Sequence, residues 1–460
     1  MDETINLTAA CHGLRFEHLP DEVVDRTKYL LLDYLGVAAR GALSDSSGPV
    51  HRVVMHMGKK GSGAVVIGTT MSADPAYAAL ANGAAAHSLE LDDVVNEASL
   101  HPGVAVMSAA LGAAHIAGCS GRDLVEGIVS GYEVTIRLGF ALDPAAHYAQ
   151  GFHPTGTCGT MGSALTAAKI LKLDQRRMMN AMGIAGSQAA GSMEFLSDGS
   201  YTKRLHAGWA AHSGIIAALL AAEGFTGPAS VLEGKHGFFH AYSPGSVPSR
   251  LMEGWGAPYK VMRTSIKPHS CCRYKQGPID GILAIMKKHG LKPSDIEEVE
   301  LGILKAGYPI VADPRDLKYN PKSVVDAQFS MPFGAAVAVL YGRASLNEYT
   351  QEKIHSDEVK EMMNRISCVL DPGLEKDFPA RWPASVSVKT KAGEVFKTRV
   401  DYPKGDPENP LSWEELIGKF KDLTAPVFDE SVKDQIVDLV RGLESKKDLE
   451  RLTRLLAADL

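Results

Sequence analysis

At 460 residues the chain is longer than one ordinary hydrophobic core supports, so two domains are expected. Hydrophobic residues make up 45% and charged residues 22%, the balance of a soluble globular enzyme rather than of a disordered or fibrous chain. A formal net charge of −6 argues against a dedicated nucleic-acid binder, and six cysteines without CxxC spacing read as reduced thiols of a cytoplasmic protein.

In chain order, the opening MDETINLTAACHGLRF is acidic and has no apolar core, which excludes a signal peptide. Residues from about 5 to 260 read as successive helices. Pro20-Asp21-Glu22 opens one of them, and VVDRTKYLLLDYLGVAARG carries apolar residues three and four apart. PAYAALANGAAAHSLE, GVAVMSAALGAAHIAG, GRDLVEGIVSGYEVTIRLG, TMGSALTAAKILKL and HAGWAAHSGIIAALLAAEG repeat the style with much Ala and Gly, so closely packed helices are expected. Gly41, Gly118, Gly139 and Gly224 fit positions just past helix ends. The apolar runs HSGIIAALLAAEGF and QFSMPFGAAVAVLYG fall short of the roughly 20 residues of a bilayer crossing and read as core helices, with no membrane partner.

Near residue 260 the pattern changes. IEEVELGILKA and SVSVKTKAGEVFKTRVDYP alternate apolar and polar residues, which predicts strands, the second folded into a hairpin at Ala392-Gly393. PKSVVDAQFSMPFGAAVAVLYG and SDEVKEMMNRISCVL between them read as helix. After DYPKGDPENPLS the helical pattern returns. The predicted fold is mainly α: an all-α domain of residues 1–264 and 404–460, with a smaller α+β lid domain, 265–403, inserted.

An unpaired buried charge costs several kcal/mol, so ionisable groups within the small-residue half stand out. Asp92, Asp93 and His101 lie in AAAHSLELDDVVNEASLHPG, where a carboxylate can orient an imidazole for proton transfer near neutral pH. The plain alternative is a capping Asp pair and a surface His. His153 in GFHPTGTCG precedes a helix whose backbone N–H groups suit a carboxylate; the alternative is a buried His bonded to a carbonyl. Lys203 and Arg204 in SDGSYTKRLHAGW suit di- or tricarboxylate oxygens, or form a solvated basic turn.

IKPHSCCRYKQGPID offers Lys267 and Arg273 as anion contacts across a domain cleft. Its vicinal thiols cannot readily both bind one tetrahedral zinc, and no second CxxC or HxxxH completes a site, so no metal is expected. No phosphate-binding glycine loop and no GxSxG elbow occur.

Taken in order, LLDYLGVAARG, ANGAAAHSLELDDV…HPG, GYEVTIRLG, GFHPTGTCGTMGSA, SDGSYTKRLHAGWAAHSG, IKPHSCCRYKQGPID, DAQFSMPFGAAVA and PENPLSWEEL resemble the MmgE/PrpD family across nearly the whole chain. Its members include 2-methylcitrate dehydratase, cis-aconitate decarboxylase and iminodisuccinate epimerase. The resemblance implies the inserted-lid architecture, a homodimer, and an interdomain cleft that works without metal or organic cofactor. It places an active-site Asp on Asp93, with Asp92 the alternative, and active-site histidines on His101 and His153. Substrate-binding lysines fall on Lys203 and Lys267. A tyrosine of the decarboxylase falls on Phe333, which lacks the hydroxyl, and KPHSCC departs from the lid motif of the dehydratases.

The implied activity is a lyase or isomerase working by α-proton chemistry on a small di- or tricarboxylate, with a 2-methylcitrate dehydratase-like hydro-lyase placed first. The alternatives are an iminodisuccinate epimerase-like isomerase, a cis-aconitate decarboxylase-like enzyme and a non-catalytic carboxylate binder. In this reading His101 and His153 move protons, Asp93 orients a histidine, and Lys203, Arg204, Lys267 and Arg273 hold carboxylates.

Overall fold

Helix dominates the chain because good helix formers and small residues recur between well-marked starts. The computed structural model describes residues 2–57, 63–378 and 381–458, which divide into two units, Met1–Thr264 with Ser412–Leu460, and Ser265–Leu411. In the first unit the helices are α1 (Glu3–Gly13), α2 (Asp21–Gly41), α3 (Ser47–Met57), α4 (Pro75–Ala86), α5 (Pro102–Ala117), α6 (Gly121–Leu142), α7 (Pro144–Ala149), α8 (Pro154–Ile170), α9 (Gln175–Gly186), α10 (Thr202–Ala222) and α11 (Phe238–Tyr242). Asp21 and Glu22 sit at the positive end of α2, and Ser120 with Asp123 forms a capping box on α6. α4, α5 and α8 each begin with proline, whose fixed φ suits a first helical position.

Small residues set the distances between these helices. A Cβ added to Gly131 of α6 would lie 1.9 Å from Thr166 Oγ1 of α8, and one on Gly162 of α8 would lie 1.8 Å from Thr135 Oγ1 of α6. Each glycine thus receives the other helix's threonine. α4 and α10 meet backbone to backbone: a Cβ on Gly83 would be 2.7 Å from Gly208 Cα, and one on Gly208 would be 2.1 Å from the Leu80 carbonyl oxygen. That crossing brings the first turns of α10 beside the last turn of α4.

The C-terminal segment packs on the same unit. Ser412 and Glu415 cap the helix Trp413–Thr424, whose Lys419 Nζ donates to the buried Asp33 of α2 at 2.6 Å. Gly36 of α2 leaves room for the Phe420 ring, which a Cβ would approach to 3.0 Å. Inside the first unit, the buried Arg137 pairs with Glu133 at 2.7 Å and donates to the carbonyls of Leu251, Glu253 and Gly254, tying that irregular segment to α6.

In the second unit a four-stranded sheet has the order β4-β3-β5-β6, from β3 (Ile296–Ile303), β4 (Ile366–Leu370), β5 (Ala384–Thr390) and β6 (Val395–Val400). β3 runs parallel to β4 and antiparallel to β5, and β5 and β6 form the hairpin, with Gly393 at φ +88°. Helix α12 (Gln276–His289) lies on this sheet, its Gly281 leaving no room for a Cβ beside Val386. The core joins the sheet to the helix Met331–Tyr341.

Several expectations are corrected. The helical half also holds a short antiparallel pair, β1 (Ala64–Val65) with β2 (Ser72–Ala73). SDEVKEMMNRISCVL is helix only over Asp357–Met363; its β-branched end is strand β4. Gly139 lies inside α6 as a packing glycine against Leu100 and Ala98, not past a helix end. HSGIIAALLAAEGF belongs to α10, which is long and apolar enough to cross a membrane by length and composition, yet more than half of its apolar window is buried among other helices. The unit boundary on the C-terminal side falls at Leu411.

Gly208→Ala should destabilise the protein by about 2–3 kcal/mol or more, because the added methyl meets backbone rather than a yielding side chain. Gly418→Ala, in a helix with nothing within 4 Å of the new methyl, should be neutral or slightly stabilising. Thermal and denaturant unfolding of the two variants measure the contrast, and equal effects would contradict the close crossing.

Candidate active site

Two helices of the first unit begin with the same device. His101 is the N-cap of α5 and His153 the N-cap of α8; each has extended backbone and is followed by proline. A His-Pro step therefore sets each imidazole where the chain turns from extended to helical, at the positive end of a helix dipole. The two starts are joined directly, since the His101 N–H donates to Thr155 Oγ1 at 3.1 Å.

The loop before His101 carries the acidic pair. Asp92 Oδ2 lies 2.7 Å from Nδ1 of His87, at the C-terminal end of α4, and 3.1 Å from Nδ1 of His101. His101 Nδ1 also lies 2.7 Å from the Asp93 carbonyl. The Asp93 carboxylate faces elsewhere: it accepts from the Gly103 N–H at 3.0 Å and from the Tyr132 hydroxyl at 2.6 Å. The carboxylate that meets imidazoles is thus that of Asp92, the alternative at this position, and Asp93 fixes the start of α5. Gly103 of the HPG step is required, because a Cβ there would lie 2.6 Å from Tyr132 Oη and 2.7 Å from Asp93 Oδ2. Glu90 and Ser99 in this loop hold φ near +50°, a strained setting for non-glycine residues that clusters at functional sites.

His153 and His87 stack, with centroids 5.6 Å apart and planes at 19°. His153 Nδ1 is 3.1 Å from Nδ1 of His206 on α10, and Phe195 borders both rings. Lys203, one turn before His206, forms an ion pair with Glu90. Arg204 turns aside to Ser46 Oγ at 2.9 Å and lies over the Tyr201 ring.

Burial and neighbouring positive charge govern the ionisation. Burial lowers His87, His153 and His206, the last to about 4, and His153 and His206 are lowered further by His87 and Lys203. At neutral pH these three rings are neutral, so each can accept a proton from one nitrogen while donating from the other. Burial likewise pushes the Asp93 carboxyl up to about 6, against the lowering by the Tyr132 hydrogen bond.

His87, Asp92 and His101 offer ligand atoms within 4.8 Å of one another, a set of two imidazoles and a carboxylate that would suit zinc, and hydrogen bonds already link the same atoms. In the second unit Lys267 is buried and Arg273 holds Asp406 at 2.6 Å, with Trp382 beside it. Phe333 is wholly buried in that unit's core, 5.4 Å from the Tyr349 ring. All six cysteines are free thiols.

The structure thus brings Asp93, its alternative Asp92, His101, His153 and Lys203 together and adds His87, Glu90 and His206, which the sequence reading did not assign. The available signal for them was the recurrence of His and acidic residues in AAAHSLELDD and TKRLHAGW.

Residues 6–251 match the MmgE/PrpD N-terminal domain and residues 269–445 the MmgE/PrpD C-terminal domain. Cis-aconitate decarboxylases of Mus musculus and Homo sapiens are each 30% identical to the chain, over 98% of it and over 93% and 94% of their own lengths. The cis-aconitate decarboxylase of Aspergillus terreus is 27% identical, over 97% of the chain and 94% of its own length.

The fold favours the protonated Asp93 acid, so this contribution to stability is full below about pH 4 and is lost as pH rises through about 6. Asp93→Asn, which keeps the shape and a carbonyl for Gly103, should therefore gain on the wild type by up to about 3 kcal/mol between pH 4 and pH 7. Unfolding curves across that range check it; parallel pH profiles would mean that Asp93 ionises in the fold as easily as in water.

Proposed function

Since the chain belongs to the MmgE/PrpD family, we propose that it is a cofactor-independent lyase that removes or delivers a proton beside a carboxylate of a small di- or tricarboxylate. It is an MmgE/PrpD-type enzyme, and the observation that carries the chemistry is the grouping of four imidazoles, a carboxylate and Lys203 at converging helix ends.

A proton beside a carboxylate can be removed when the electron pair left on carbon spreads onto that carboxylate and a cation stands next to it. Lys203 supplies the cation, and an arriving carboxylate shares or replaces its contact with Glu90. His101, oriented by Asp92, and His153, paired with His206, are the proton carriers, with Arg204, Lys267 and Arg273 as further candidate anion contacts. In a hydro-lyase the α C–H and the C–OH bonds break, and the hydroxyl leaves as water with a proton from a histidine. In a decarboxylase a C–C bond breaks and CO₂ leaves. The electron pair passes into the remaining conjugated acid, and a histidine proton ends on carbon.

The full-length similarity to cis-aconitate decarboxylases supports the decarboxylase outcome. Phe333 counts against a plain cis-aconitate decarboxylase, since it lacks the hydroxyl of the tyrosine that the family resemblance places there, and this keeps the 2-methylcitrate dehydratase-like outcome beside it. In this reading the enzyme is cytoplasmic, takes no nucleic-acid or membrane partner, has the 265–403 region as a lid, and works as a homodimer. The half-exposed Leu205, Trp209 and Leu220 of α10 are consistent with a subunit contact, and light scattering should give twice the monomer mass.

Proton NMR in D₂O with 2-methylcitrate, citrate, cis-aconitate and iminodisuccinate separates the outcomes. Vinyl signals from a hydroxy acid identify a dehydratase, loss of a carboxylate carbon a decarboxylase, and deuterium uptake on an unchanged skeleton an epimerase. Silence from the folded protein would favour a carboxylate-binding protein. On the active acid, Lys203→Ala should lower kcat/KM about 100-fold or more, with KM raised and kcat reduced; unchanged kinetics remove Lys203 from the site. EDTA should leave the rate unchanged, whereas a loss restored by zinc would assign a metal to His87, Asp92 and His101.

A further inference from the structure

The contact between His153 and His206 has a chemical consequence of its own. The two Nδ1 atoms are 3.1 Å apart, a hydrogen-bond distance that is satisfied when one ring carries a proton there and the other accepts it. His153 is 2% exposed, stacked on His87 and edged by Phe195, whereas His206 is half-buried on α10, one turn from Lys203. We propose that His206 is the positioning residue of His153 and the path by which the His153 proton exchanges with bulk water. This rests on the reading of His153 as a proton carrier.

The bookkeeping closes without any further reactant. At the start His153 carries its proton on Nδ1 and His206 carries its own on Nε2. His153 Nε2 takes a proton from the substrate carbon, and the Nδ1 proton of His153 passes to Nδ1 of His206. His206 is then doubly protonated and releases its Nε2 proton to water. His153 is left with a proton on Nε2 and a bare Nδ1. The reverse sequence delivers a proton to carbon and restores the starting tautomers. After a forward step they return when the His153 Nε2 proton leaves with product or water, His206 hands its Nδ1 proton back to His153, and His206 Nε2 takes a proton from water. His153 never has to hold a positive charge for long in a buried place beside Lys203, because the charge moves outward.

The pairing is tested first without substrate. In the full-length protein labelled with ¹⁵N-histidine, NMR should show one of the two Nδ1 atoms protonated and the other bare. Both bare, with each ring protonated at Nε2, would overturn the proposal. The second test is kinetic, on cis-aconitate and 2-methylcitrate. His206→Ala should lower kcat about 10-fold or more with KM within about twofold, and added imidazole should restore the rate. His206→Gln, which keeps a polar partner for His153 but cannot relay, should retain the melting temperature and remain slow. A kcat within twofold of wild type for His206→Ala, or a loss that imidazole does not rescue, would overturn the relay. His101→Asn and His153→Asn in the same assay keep the two readings apart: if neither lowers kcat, the proton-carrier assignment itself fails, whatever His206 does.

Discussion

Helices α4 and α10 cross with no side chain between them at Gly83 and Gly208, and the positions of His87, Lys203 and His206 around His153 follow from that approach. The last turn of α4 delivers His87, and the first turns of α10 deliver Lys203 and His206. A side chain at the crossing would push the two helix ends apart by more than the slack in hydrogen bonds of 2.7–3.1 Å. The Gly and Ala content of the helical half is thus a geometric requirement of the site as well as a packing habit. The Gly131–Thr166 and Gly162–Thr135 contacts do the same for α6 and α8, which hold Tyr132 and His153.

Burying several imidazoles beside a lysine is tolerable because they are neutral. Desolvation removes their charge, and the ring nitrogens then serve as hydrogen-bond partners for one another and for Asp92. A polyanionic acid entering such a place changes the balance, since its negative charge favours protonating the rings that burial had neutralised. A bound polyanion would therefore change the proton content of the site, as the proposed proton chemistry requires.

The helical character, the α+β second unit and the β5–β6 hairpin were legible in the sequence because period and turn residues state them directly. Strand β4 was not: it follows a helix after only two residues, and its five-residue run ISCVL is too short for period to decide. In the site, His101, His153 and Lys203 were visible because proline, glycine and polar residues flank them. Asp92 and Asp93 could not be told apart, since adjacent residues in a loop point to different sides and no period fixes which. His206 was hidden in TKRLHAGW, where it reads as one more helical residue, and only the packing of α10 against the start of α8 shows what it faces. Glu90 stood out only as one more acidic residue of AAAHSLELDD, because its pairing with Lys203 spans more than a hundred positions.

The two His-Pro steps act before the protein is folded at all. A residue preceding proline is kept out of the helical region by its own covalent neighbours, and proline holds φ at the value a helix start needs. His101 and His153 are therefore already extended, and the next residue already helix-like, in the unfolded chain. Little backbone entropy remains to be lost at those two junctions on folding. The backbone that carries these two imidazoles is thus restricted by local covalent structure, and long-range packing brings the two junctions together and orients the rings.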